Sequence, residues 1–112
     1  MKKTIDNSFW FYDSQGLPLE VQFAIAQEKG MRISVPMFFA DSLIAGWDVE
    51  KSIKTIRAAM AETESERMAE MSERMLKKMF CDCCKDGMDF EQTGKAIKAR
   101  LENNPVFWGV AA

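Results

Sequence analysis

The sequence predicts an α+β protein, with a three-stranded antiparallel β-meander at the N-terminus followed by three helices packed on one face of the sheet, one of them long. Three observations point there. Strand-like apolar runs are separated by DSQG (13–16) and QEKG (27–30), two four-residue turns that end in glycine. After Pro36 the apolar spacing changes from a period of two to steps of three and four. The whole chain has 112 residues, 47% hydrophobic and 29% charged, which is the length and composition of one ordinary globular domain over 1–112.

The strands are expected at about 8–13, 19–26 and 31–36. Each separator suits a type I turn whose final glycine takes a left-handed conformation and forms a bulge. If Asp13 faces Leu17, then Phe11 faces Leu19 and Phe9 faces Val21. If Gln27 faces Met31, then Ile25 faces Ile33 and Phe23 faces Val35. Both turns therefore send the odd-numbered apolar residues to one face, and a one-residue slip would reverse them all. A helix-turn-helix over 21–47 competes with this meander. Its second helix, PMFFADSLIA (36–45), has no basic residue with which to hold phosphates or read base edges.

Helices are expected at about 37–45, 48–80 and 89–103. Gly46 stops the first in the left-handed cap position, and Asp48 caps the next. Val49, Ile53, Ile56 and Met60 recur at steps of four, three and four, one apolar stripe. Met68, Met71, Met75 and Met79 resume it, and SERM occurs at 65–68 and again one heptad later at 72–75. Because 60–68 contains neither glycine nor proline, one long helix is favoured. The alternative is a break near Thr63, where Thr63 and Glu66 could open a second helix as a capping box. Glu50–Lys54, Glu70–Arg74 and Glu73–Lys77 are i,i+4 pairs in the favourable order. Asp89 with Gln92 reads as the capped start of the last helix, with Phe90, Ile97 and Leu101 on its buried stripe.

Candidate functional residues fall into three groups. The cysteines Cys81, Cys83 and Cys84 occupy four consecutive positions. Cys81 and Cys84 have C-x-x-C spacing, half of a zinc site, and a four-thiolate site would need the same pair from a second chain. Without that, the three are small apolar residues at a helix end. Nine methionines in this length is high, and Met68, Met71, Met75 and Met79 form either a loosely specified core or a surface that grips a partner. The even-numbered sheet face would present Trp10, Tyr12 and Arg32. Phe107 and Trp108 of the apolar tail either cover that face or join them as interface anchors.

Enzymatic signals are close to absent: the chain has no histidine for general-base work at neutral pH, and no glycine-rich phosphate loop follows a strand. The expectation is a small non-enzymatic protein–protein interaction protein, an adaptor or inhibitor that docks on another protein, with no cofactor. It would suit a phage- or plasmid-encoded protein that obstructs a host complex. Met68, Met71, Met75, Met79, Trp10, Tyr12, Phe107 and Trp108 are the expected partner-binding residues, and a homodimer is expected. One alternative is a nucleic-acid-associated regulator using Trp10, Tyr12 and Arg32 or the competing helix-turn-helix, which the net charge of −2 disfavours. Another is a homodimer linked by metal through Cys81 and Cys84. No apolar run approaches the ~20 residues of a membrane span, the start lacks a signal-peptide pattern, and the clustered cysteines suit a reducing cytoplasm.

Overall fold

The computed structural model describes residues 3–103, and these are mostly helical. In chain order the elements are β1 (Thr4–Ile5), α1 (Ser8–Gln15), α2 (Leu19–Glu28), β2 (Arg32–Ile33), α3 (Val35–Ile44), α4 (Val49–Thr63), α5 (Glu66–Cys83) and α6 (Phe90–Asn103). The expected antiparallel meander is not formed. Residues 8–13 and 19–26 are helical, and the one sheet among the described residues is a parallel two-stranded ladder pairing Thr4 with Arg32 and Ile5 with Ile33.

Buried polar groups explain the difference. The inward face of α2 is Leu19, Gln22, Phe23 and Ala26, steps of three, one and three that belong to a helix. Gln22 hides this stripe in the sequence because it is polar. It is nevertheless buried: the Ser8 hydroxyl donates to its carbonyl oxygen (2.7 Å) and its amide donates to the Leu17 carbonyl (3.0 Å). Val21 and Ile25, which completed the apparent alternation, are exposed. Gly30 does take a left-handed conformation, φ +67°, but it ends α2 rather than turning a hairpin. The Met31 N–H reaches the Ala26 carbonyl (2.7 Å) and the Gly30 N–H the Gln27 carbonyl (3.2 Å), a Schellman closure of the helix.

Helix α3 lies at the centre. Ser34 caps it, accepting from the Met37 N–H (3.3 Å), and Pro36 sits in its first turn, where a missing N–H costs nothing. None of its residues is exposed; Phe39, Ala40, Ser42 and Leu43 have no accessible surface. Helices α1, α4 and α6 pack around it. The two helices of the rival helix-turn-helix thus exist, but the second is enclosed and cannot enter a nucleic-acid groove. An edge-to-face aromatic group fixes α1 and the start of α4 on α3: Phe9 and Tyr12 meet Phe38 and Trp47 with ring centres 5.3–5.7 Å apart. The Lys51 ammonium sits 4.2 Å over Trp47. Inside the α3–α4 contact, the Ser42 hydroxyl donates to the Phe39 carbonyl (2.7 Å) and is 2.7 Å from the Ser52 hydroxyl. Ser42 has one proton and uses it on Phe39, so Ser52 is the donor between them.

The long helix expected over 48–80 is two helices with a break at Glu64 and Ser65. Asp48 caps α4, accepting from the Lys51 N–H (2.7 Å), and Ser65 caps α5, accepting from the Met68 N–H (3.1 Å). The cap is Ser65 rather than Thr63, whose hydroxyl donates back to the Ala59 carbonyl (2.9 Å). From α2, Gln27 donates to the Thr63 carbonyl (3.3 Å) and to the Glu64 carboxylate (2.8 Å), holding the bend. Burial decides the break, because folding back buries Ala69, Leu76 and Met79 completely. At the start of α6, Asp89 accepts from the Gln92 N–H (2.8 Å) and Gln92 accepts from the Asp89 N–H (3.0 Å), a reciprocal capping box.

The most extensive pairing in the molecule is α3 with α6, and Gly94 makes it possible. A Cβ at this position would lie 2.7 Å from the Ala40 carbonyl oxygen, 2.9 Å from Leu43 Cβ and 3.0 Å from Ile44 Cγ1. The first is backbone and the second is anchored to it, so neither can swing away. Gly94→Ala should therefore destabilise the protein by about 1–3 kcal/mol through overpacking, despite alanine's helix preference of about 1 kcal/mol. A urea midpoint followed by circular dichroism measures this; an unchanged midpoint would show that α3 and α6 are not so close.

Candidate docking site

Helix α5 carries the feature that best suits a partner. Its buried stripe is Ala69, Leu76, Met79 and Cys83, so the expected methionine stripe is divided. Met79 is fully buried, Met75 is half-buried, and Met68 and Met71 are 44% and 53% exposed. At 100° per residue, Met68, Met71 and Met75 share an arc of about 60° beside the buried stripe. Arg67, Arg74 and Lys78 occupy the next arc of about 40° outward, on the side away from the core. All three cations are exposed, and none has an ion pair among the described residues.

The acidic residues of α5 are used elsewhere. Glu66 (3.1 Å) and Glu73 both accept from the Arg57 guanidinium, which ties α4 to α5 across the bend. Glu73 also accepts from Lys77 (2.8 Å). These bonds, first Lys77 and then Arg57, hold the Glu73 carboxyl below the usual carboxylate range. The other two i,i+4 pairs expected from the sequence, Glu50–Lys54 and Glu70–Arg74, are not among the ion pairs formed by the described residues. Arg74 is thereby left to the outer row.

The remaining candidates are dispersed. Trp10 is 51% exposed and borders a cleft of about 550 Å³ whose polar lining includes Asp6, Asp13, Asp41, Lys98 and Glu102. Lys98 donates to Asp41 across α3 and α6 (2.9 Å), and that bond raises its pKa above the ordinary lysine range. Tyr12, two residues from Trp10 on the same helix, belongs to the aromatic core group. Arg32 is exposed on β2. No sheet face gathers the three, because helix α1 turns Trp10 and Tyr12 about 200° apart. Phe107 and Trp108 lie outside the described residues.

Cys81 is exposed, Cys83 buried and Cys84 half-buried, all as free thiols. Burial pushes the Cys83 thiol above its ordinary range, which keeps it protonated and unreactive at neutral pH. Among the described residues no three His, Cys, Asp or Glu side chains gather as a metal ion would need.

No family model matches the chain, and no solved structure does either. Two alanine–tRNA ligases, from a Thermotoga species and from Thermotoga maritima, are each 35% identical to it over 72 residues. The matched stretch is 64% of this chain and 8% of each ligase, so the chain spans under a tenth of the relatives' length. No helix of the described residues is long and apolar enough to cross a membrane.

The cationic row was legible but missed: Arg67, Arg74 and Lys78 fall at i, i+7 and i+11 beside the methionines. Two outcomes test this geometry. The stability advantage of the native protein over Glu73→Gln should be full at neutral pH and vanish as pH falls through the depressed Glu73 pKa, because protonation removes the ion pairs in the folded state only there. Urea unfolding of both proteins across acid pH measures it, and a constant difference would contradict the assignment. Iodoacetamide should label Cys81 in the native protein and reach Cys83 only on unfolding, read by peptide mass spectrometry.

Proposed function

We propose that the protein is a non-enzymatic interaction protein, an adaptor or small inhibitor, that works by docking α5 onto another protein. The observation that supports this is the strip of Met68, Met71 and Met75: two exposed thioether side chains and a third half-buried, set between the core and a row of charges. Burying a methionine side chain contributes roughly 1.5–3 kcal/mol, and such flexible chains fit partners of varied shape. A stable interface needs about 800 Å² from each side, so the strip is its centre, and the flanking charges form its rim. The absence of histidine from the chain and three free thiols, one exposed, accord with a binding role in a reducing cytoplasm.

A second reading, a nucleic-acid-associated regulator, has the partial similarity to two alanine–tRNA ligases in its favour. Against it stands the net charge of −2. Retention on RNA and DNA columns at low salt, falling steeply with added salt, would support it.

The variant carrying Met68→Glu and Met71→Glu should lose capture of the partner in pull-downs. Its stability should stay within about 0.5 kcal/mol of the parent, as for ordinary surface changes. Undiminished binding by this variant would eliminate α5 as the docking element. Native mass spectrometry of the reduced parent also reads the oligomeric state and any zinc shared through Cys81 and Cys84.

A further inference from the structure

We propose that the α5 strip receives an acidic amphipathic helix, whose apolar side lies on Met68, Met71 and Met75 and whose carboxylates meet Arg67, Arg74 and Lys78. This rests on the docking role proposed above and names the chemistry of the partner. A helix packed along α5 at the usual 8–10 Å axis separation would place its apolar positions over the methionines and one flank over the cations. From Arg67 to Lys78 the row is about 16 Å long, and a partner helix repeats its flanking positions with the same rise. Carboxylates a heptad apart on that flank would therefore meet Arg67 and Arg74 together, and one a turn further on would meet Lys78. The three cations are exposed and have no ion pair among the described residues.

The charges around the strip define its limits. Glu73 is engaged by Arg57 and Lys77 on the far side of α5, and Glu66 faces away from the methionines. Glu70 borders the outer edge of the cation row, one turn before Arg74, and forms no ion pair with it. Asp82, one turn beyond Lys78 and below the strip, is exposed; it would repel a carboxylate there and so bounds the site at its C-terminal end. A second copy of this chain is a poor occupant. In an antiparallel two-fold pairing through the strip, the Arg67–Arg74–Lys78 row of each copy would face its own equivalent, and juxtaposed like charges oppose association.

Two labelled synthetic helices of about five turns test this: both have leucine along one face, with glutamate along the flanks of one and lysine along those of the other. Fluorescence anisotropy with the intact protein should show the glutamate helix binding at least about tenfold tighter at roughly 0.05 M salt, with the preference shrinking near 0.5 M. The triple variant Arg67→Glu, Arg74→Glu, Lys78→Glu should reverse the preference, and circular dichroism checks that it folds. Equal binding of both helices that still requires Met68 and Met71 would overturn the acidic partner while leaving the docking face standing. Failure to bind either helix would overturn the proposal. So would self-association abolished by Met71→Glu, which assigns the strip to a second copy, or binding of phosphatidylserine vesicles in place of the glutamate helix.

Discussion

Helix α6 meets α3 where residue 94 has no side chain, and the Ala40 carbonyl and Leu43 Cβ occupy the space a Cβ would take. That approach does more than seal one contact. Helix α3 has no exposed residue, so each of its sides must be closed by a neighbour: α1 through the aromatic group, α4 through Ser42 and Ser52, α6 through Gly94. Ile97 and Leu101 of α6 are buried in the same core cluster as Leu76, Met79 and Cys83 of α5. The inner stripe of α5 is held by α4 and α6 together. Its methionine flank is presented outward because the helices behind it sit close enough to fix its rotation. A bulkier residue at 94 would loosen that support through α6, which packs on α3 at Gly94 and directly against α5.

Polar groups inside the core set registers that apolar packing alone would leave free. The Ser8–Gln22–Leu17 bonds lock α1 to α2, and the Ser42–Ser52 pair locks α3 to α4. Each buried hydroxyl or amide would cost about 1–3 kcal/mol if left unpaired, so a slid helix is penalised more steeply than by lost van der Waals contact. The same device defeats a reading of the chain by apolar pattern.

Elements whose ends are written in side-chain caps were readable from the sequence: Asp48 before α4, and Asp89 with Gln92 at α6. The N-terminal third was not, because Gln22 is buried while Val21 and Ile25 are exposed, which inverts the usual guide. On α5 the methionines drew attention from Ala69 and Leu76, whose smaller count concealed the true buried stripe. The stripe is divided: Met79 serves the core, while Met68 and Met71 are exposed and Met75 is half-buried. The cap at Ser65 was hidden by Thr63, a residue of the same type two positions earlier. In each case two patterns of similar strength were present locally, and tertiary burial chose between them.

The bend at Glu64–Ser65 carries a consequence for assembly. It contains neither glycine nor proline, so the backbone there is free to continue as helix. Straightened, α4 and α5 would make one rod of about 50 Å, longer than the 42 Å spanned by the described residues. A chain opened in this way would lay its α5 and α6 on the α3 and α4 of a second opened chain, remaking every contact around Gly94 and Arg57 between molecules. Exchange of identical segments about a short hinge is a low-cost route to a dimer. The Gln27 bonds to Thr63 and Glu64 hold only while the hinge is bent, so they oppose such an opening.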